Sequence, residues 1–112
     1  MIKDVISFPD FQKPDLRVGK VVSAENVEES ENLIRMEVDL GKDYGKRKIL
    51  AGIAKWYKPE ALKGKKFIFV ANLAPKQMMK EMSSGMILCA DIDEKAVIIP
   101  VDKGIPEGAV VR

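Results

Sequence analysis

The chain has 112 residues, of which 46% are hydrophobic and 32% charged, enough to build one core and too few to divide into two. With no histidine and a single cysteine, Cys89, it has no recognisable zinc or haem ligand set, no imidazole base for nucleophilic catalysis and no partner for an internal disulfide. No apolar run reaches the roughly 18 residues of a membrane span and MIKDVISF lacks a signal-peptide core, so a soluble cytoplasmic protein, with no catalytic residues, metal or cofactor, is expected from residues 1–112 as one domain.

In chain order, Ser7 before Phe8 and Pro9 predicts a capped, short helix. After Pro14, LRVGKVVSAENV is β-branched and interrupted by Gly19, which predicts a long bent strand. In LIRMEVDL the residues Ile34, Met36, Val38 and Leu40 keep the period-two apolar face of a half-buried strand. The turn GKDYGK leads to the strand RKILAGI, and Pro59 and Gly64 bracket one or two turns of helix within AKWYKPEALKGKK. FIFVANL, MILCADI and KAVIIPV follow as apolar strands, and the tail DKGIPEGAVVR is rich in turn residues. Three strands, a short helix and two more strands is the order of the OB-fold, a five-stranded Greek-key barrel; here it would be all-β apart from short helices, with small additions at both ends. An SH3-like barrel and a β-sandwich share the same pattern.

Charge is unevenly distributed. Between Lys42 and Lys66 nine basic residues face only Asp43 and Glu60, a local net charge of +7 within a chain of +2. Glu25, Glu28, Glu29 and Glu31 gather in one predicted loop. Such polarity can orient an anionic partner, and it can equally serve solubility or heat stability. The connection KQMMKEMSSGM, residues 76–86, reads as a loop holding four of the six methionines between Lys76 and Met86. Methionines here offer polarisable surface to a ligand or plug the barrel end. Trp56 and Tyr57 beside Lys55 and Lys58 read as packing more readily than as stacking platforms, and Cys89 as a small core residue.

Taken together and in this order, DLRVGKVVSAE, MEVDLG, RKILAGIA, KPEALKGKK, VANLAP and SSGMILCA resemble the tRNA-binding domain of methionyl-tRNA synthetases, shared with free-standing structure-specific tRNA-binding proteins and with cytokine-like and chaperone relatives. The resemblance covers about Phe11 to Arg112 and implies an OB-fold, a homodimer, and non-catalytic binding of the outer corner of tRNA with little regard to sequence. A chain of this length is similar to the separate subunit that some microbes carry beside the synthetase's catalytic subunit, which is then the implied partner together with tRNA.

Residue by residue, the resemblance implies tRNA contacts at Arg47, Asn72, Ser83, Gly85 and Met86, with Lys46, Lys48, Lys76 and Lys80 as weaker candidates. Gly85 would let a backbone approach closely, Ser83 and Ser84 would donate to phosphate or ribose, and lysines would position rather than specify. The family's first loop usually carries a His-Pro pair and a lysine where this chain has NVEESENL, and Ala51 replaces a serine, so the loop grip on phosphate is altered. A dimer interface is expected at Ile98, Ile99, Val110 and Val111. The methionine-rich connection also supports a second expectation, a chaperone-like dimer binding unfolded or exported polypeptides.

Overall fold

Proline and glycine punctuate the start of the chain. A computed structural model describes Met1–Arg112. In it Ser7 Oγ accepts the Asp10 N–H at 3.2 Å and caps α1, Phe8–Phe11, a single turn beginning beside Pro9. Past Pro14 the backbone extends into β1, Leu16–Asn26. Gly19 permits the bend: a Cβ there would lie 2.7 Å from Phe69 Cδ1 and 2.7 Å from Val38 Cγ1, so the aromatic ring occupies the space a side chain would need. A bulge between Val21 and Ser23 shifts the register within the strand.

β1 is shared. Leu16–Lys20 pair antiparallel with β4, Lys66–Val70; Leu16 and Arg17 also pair with the terminal β10, Val110–Val111; and Lys20 onward pairs with β2, Ile34–Asp39. The period-two residues of β2, Ile34, Met36 and Val38, are fully buried, as their spacing predicts. β2 pairs with β3, Lys46–Ala51. The helix expected before β4 is one 3₁₀ turn, Pro59–Ala61, shortened because Gly64 hands its N–H to Val21 O at 2.8 Å and draws the chain back to β1.

Two apolar runs are broken where sequence alone predicts continuity. FIFVANL stops as a strand at Val70: Ala71 N–H still bonds Asp15 O at 2.8 Å, and beyond it the chain leaves the sheet. The connection 76–86 is no open loop: β5, Lys76–Met78, and β6, Glu81–Ser83, form a hairpin turning through Met79 at φ 58°. MILCADI divides at Leu88 into β7, Met86–Ile87, which pairs with β4, and β8, Cys89–Ile92, which pairs with β9, Lys95–Ile98. Asp93 and Glu94 both take positive φ, 49° and 69°, the requirement of a two-residue turn whose twist matches its strands.

The main sheet runs β3-β2-β1-β4-β7. Its gap between β3 and the β6–β7 segment is bridged by Ser84 N–H to Lys48 O at 2.9 Å and by Leu50 N–H to Ser83 Oγ at 3.0 Å. The result is a nearly closed OB-type barrel, 6% helical, with Phe67, Phe69, Met36 and Ile49 wholly buried inside. No helix is long and apolar enough to cross a membrane.

Candidate nucleic-acid interface

Strand alternation divides the basic triplet Lys46-Arg47-Lys48. Lys48 pairs across with Glu37 and Lys46 with Asp39 on the outer face, while Arg47 pairs with the buried Val38 and so points toward the barrel end. There its guanidinium stacks 4.9 Å from the Tyr44 ring and Nη1 donates to Ala71 O at 3.2 Å. The Arg17 guanidinium also lies over the ring, 5.3 Å from its centroid, and its Nε donates to Asp15 at 2.7 Å while Nη1 donates to Asp43 at 3.0 Å. Tyr44 Oη donates to Asp15 as well. The Arg17 hydrogen bond, helped by Tyr44, holds the Asp15 carboxyl below its ordinary range, and the same carboxylate raises the Tyr44 phenol. Arg47 is thus pre-oriented by an aromatic plane, half-buried, with part of its fork still open.

The family motif around the last barrel strand is occupied internally. Ser83 is buried: Oγ accepts from Leu50 N–H and donates to Gly85 O at 3.2 Å. Gly85 sits at φ 136°, a conformation that side chains rarely adopt, and a Cβ would also come tight against Ile49 Cδ1 at 3.0 Å and Val70 O at 3.2 Å, so the fold itself favours glycine here. Asn72 holds the N-terminal segment onto the barrel, its Oδ1 accepting from Asp15 N–H and its Nδ2 donating to Lys13 O, both at 2.7 Å. These three residues shape the surface from behind. Met86 differs, for its side chain is 47% exposed beside the motif.

The β5–β6 hairpin supplies what a partner would meet. Lys76 stands exposed at its base and Lys80 at its tip, 4.0 Å from Glu29 of the acidic loop after β1. Met78 packs onto Val27, Leu33 and Leu50, whereas Met79 and Met82 are exposed, so only one hairpin methionine is a plug. An apolar groove of about 450 Å³ opens between Leu73, Met78, Met86 and Cys89. Tyr57 packs on the core and accepts Ile98 N–H at 3.3 Å, leaving Trp56 partly exposed.

Sequence reasoning missed one arrangement on the outer face. Arg35 of β2 donates from Nε and Nη2 to the two oxygens of Glu81, each at 2.6 Å, and from Nη1 to Glu25 at 2.9 Å; Lys48 joins Glu81 at 3.2 Å. The Arg35 fork, with Lys48 beside it, pulls the Glu81 carboxyl down to about 2 against its partial desolvation, and the two carboxylates raise Arg35. Alternation puts Arg35 on the face of β2 opposite Ile34 and Met36, but the Glu81 partner lies 46 residues away along the chain.

A family model described as a putative tRNA binding domain matches residues 16–110, which span the barrel from β1 to β10. The chain belongs to this tRNA-binding domain family. It is 47% identical over 110 residues to a methionine–tRNA ligase of Methanothrix thermoacetophila, covering 98% of this chain and 16% of the relative, and 43% identical to that of Clostridium acetobutylicum. A solved MetRS-related protein from Pyrococcus horikoshii superposes with a TM-score of 0.92 at 39% identity, over 98% of this chain and all of that one. A chaperone, CsaA of Bacillus anthracis, superposes at 0.85 with 30% identity, covering 97% of this chain and 100% of its own. In this tRNA-binding domain the residues expected at a dimer interface have different settings: Val110 and Val111 lie with Phe8 and Phe11 around a cavity of about 540 Å³, whereas Ile98 packs on the core and Ile99 is exposed beyond β9.

Proposed function

We propose that residues 1–112 act as one non-catalytic tRNA-binding unit that grips the outer corner of tRNA by shape and backbone, in the cytoplasm, in trans to a methionyl-tRNA synthetase catalytic subunit. The observation that carries this reading is the match of the tRNA-binding model to the whole barrel, 16–110, in which Lys46 and Arg47 of β3 and Lys76 of β5 have no carboxylate ion-pair partner. Arg47, Lys46, Lys76, Lys80 and Met86 are the groups with open surface for contact; Ser83, Gly85 and Asn72 hold that surface in shape. Action in trans is supported by the Pyrococcus horikoshii chain, which is matched along its full length. A homodimer is supported by the exposed Ile6, Phe8, Phe11 and Val110, apolar side chains gathered at one end of the molecule.

Gel shift with total tRNA and with unstructured RNA of equal length, at low and moderate salt, tests the reading. Binding is expected to prefer tRNA, to weaken as salt rises, and to fall sharply in Arg47→Glu. Affinity indifferent to salt, or an unaffected Arg47→Glu variant, would overturn it.

A second reading has its own observation. The groove between Leu73, Met78 and Met86, rimmed by exposed Met79 and Met82, is flexible apolar surface of the kind that accepts varied polypeptides, and two of the superposing structures are named as chaperones. Denatured protein that competes with tRNA for the same molecule would favour it.

A further inference from the structure

OB barrels commonly take oligonucleotides on the outer face of their second and third strands, flanked by the loops after the first and fourth. A single strand lying there needs cations for its phosphates and flat side chains on which its bases stack. This face has no aromatic residue: its cross-strand rows are Lys20, Asp39 and Lys46, then Ser23, Glu37 and Lys48, then Glu25, Arg35 and Leu50. Its free cations, Lys20 and Lys46, stand only in the row at its edge. Its central cations are taken: Arg35 is forked onto Glu81 at 2.6 Å and held by Glu25 at 2.9 Å, and Lys48 reaches Glu81 at 3.2 Å.

We propose that Glu81 and Glu25 act as a built-in carboxylate screen that closes the centre of the outer face of β1, β2 and β3 to single-stranded RNA, so that RNA is taken only when its folded backbone reaches the free cations around that face. The inference rests on the tRNA-binding reading and says how the unit discriminates. The hairpin does not need the ion pair to stay in place. Met78 is packed on Val27, Leu33 and Leu50, and Ser83 and Ser84 are hydrogen-bonded to β3, so three attachments already anchor it. What the two carboxylates change is the field over the face. A flexible strand entering it must displace Glu81 from Arg35 and then lie against Glu25 and Glu37, a like-charge contact that rejects the wrong ligand rather than improving the right one. Folded RNA presents a rigid phosphate array from outside, and Lys76, exposed and without an ion-pair partner, meets it without entering the face. The Arg35 fork keeps Glu81 ionised far below neutral pH, so the screen is permanent rather than pH-switched.

The test measures binding of folded tRNA and of unstructured RNA of equal length to the full chain, to Glu81→Gln, to Glu25→Gln and to the double variant, across a salt series. The double variant is expected to bind unstructured RNA on the order of tenfold more tightly, with a salt slope steeper by about 0.7 for each freed cation, and tRNA much less changed. Glu25, with its side chain 67% exposed, gives a smaller shift in the same direction and has no part in anchoring the hairpin. An unchanged preference, or an equal gain for both RNAs, overturns the proposal while leaving tRNA binding intact. A loss for both RNAs overturns it too, by showing that Glu81 positions the hairpin. Failure of the unaltered chain to bind either RNA removes the tRNA reading and this inference together.

Discussion

Two hairpins hang from the barrel on either side of β7, and they are attached by different physics. The β8–β9 hairpin is held by apolar contact, Cys89, Ala96 and Ile98 lying against the core, with one hydrogen bond from Ile98 N–H to Tyr57 Oη. The β5–β6 hairpin is held by polar tethers: Ser83 Oγ and Ser84 N–H on β3, the Arg35–Glu81 fork, and a single methionine in a satellite cluster. Apolar attachment is non-directional and belongs to the fold. Polar attachment is directional, sets the charge of the surface around it, and belongs to recognition.

The largest effect that would break this contrast comes from Ile98. Ile98→Glu places a charge against the core and is expected to cost about 2–4 kcal/mol, read as a loss of thermal or urea stability. Val110→Glu, on the exposed edge of β10, should keep that stability and yield monomers in sedimentation. Equal stability losses in the two variants would show that the β8–β9 hairpin is no better anchored than the terminal edge. Next in size is Ser83→Ala, which leaves the buried Leu50 N–H without its acceptor and is expected to cost about 1–3 kcal/mol. The hairpin loosens in this variant, so hydrogen exchange should quicken at Leu50 and across Glu81–Ser83 before it quickens in β1. Uniform exchange would place the hairpin in the same cooperative unit as the barrel.

The smallest effect is electrostatic and sharpens the contrast through pH. Glu81 has a folded value near 2 against an ordinary 4.5, a depressed carboxylate. Its stabilising contribution is complete above about pH 4.5 and is lost as pH falls toward 2, because the unfolded chain takes up the proton first. The acid limb of a stability titration should therefore be shallower for Glu81→Gln than for the unaltered chain, with the neutral region little changed. Identical acid limbs would mean that the fork seen on the outer face is not maintained in solution.

The division between these regions was only partly visible in the chain. β2 was legible because a half-buried strand imposes strict alternation, which Ile34, Met36 and Val38 obey, and β1 and β4 because β-branched and apolar runs between turn residues mark them. The same alternation separates Arg47 from Lys46 and Lys48, although counting charge along the chain merges them into one patch. The β5–β6 hairpin left no periodic signal: three-residue strands with mixed polarity are stable only where another strand receives them, here β3 through Leu50 N–H and Lys48 O. Family resemblance marked Ser83, Gly85 and Asn72 as contacts, and the structure shows each already engaged in closing the barrel or fastening the N-terminal segment to it.

Local composition by itself determined an all-β domain, its first strands and a net basic segment, since these follow from hydrophobic periodicity and turn residues acting over a few positions, while the choice of an OB barrel over a sandwich came from the family resemblance. Tertiary structure decided which of those charges remain free. Arg35 meets Glu81 across 46 residues, and a Coulomb interaction depends on distance in space, which the order of residues along a chain does not record.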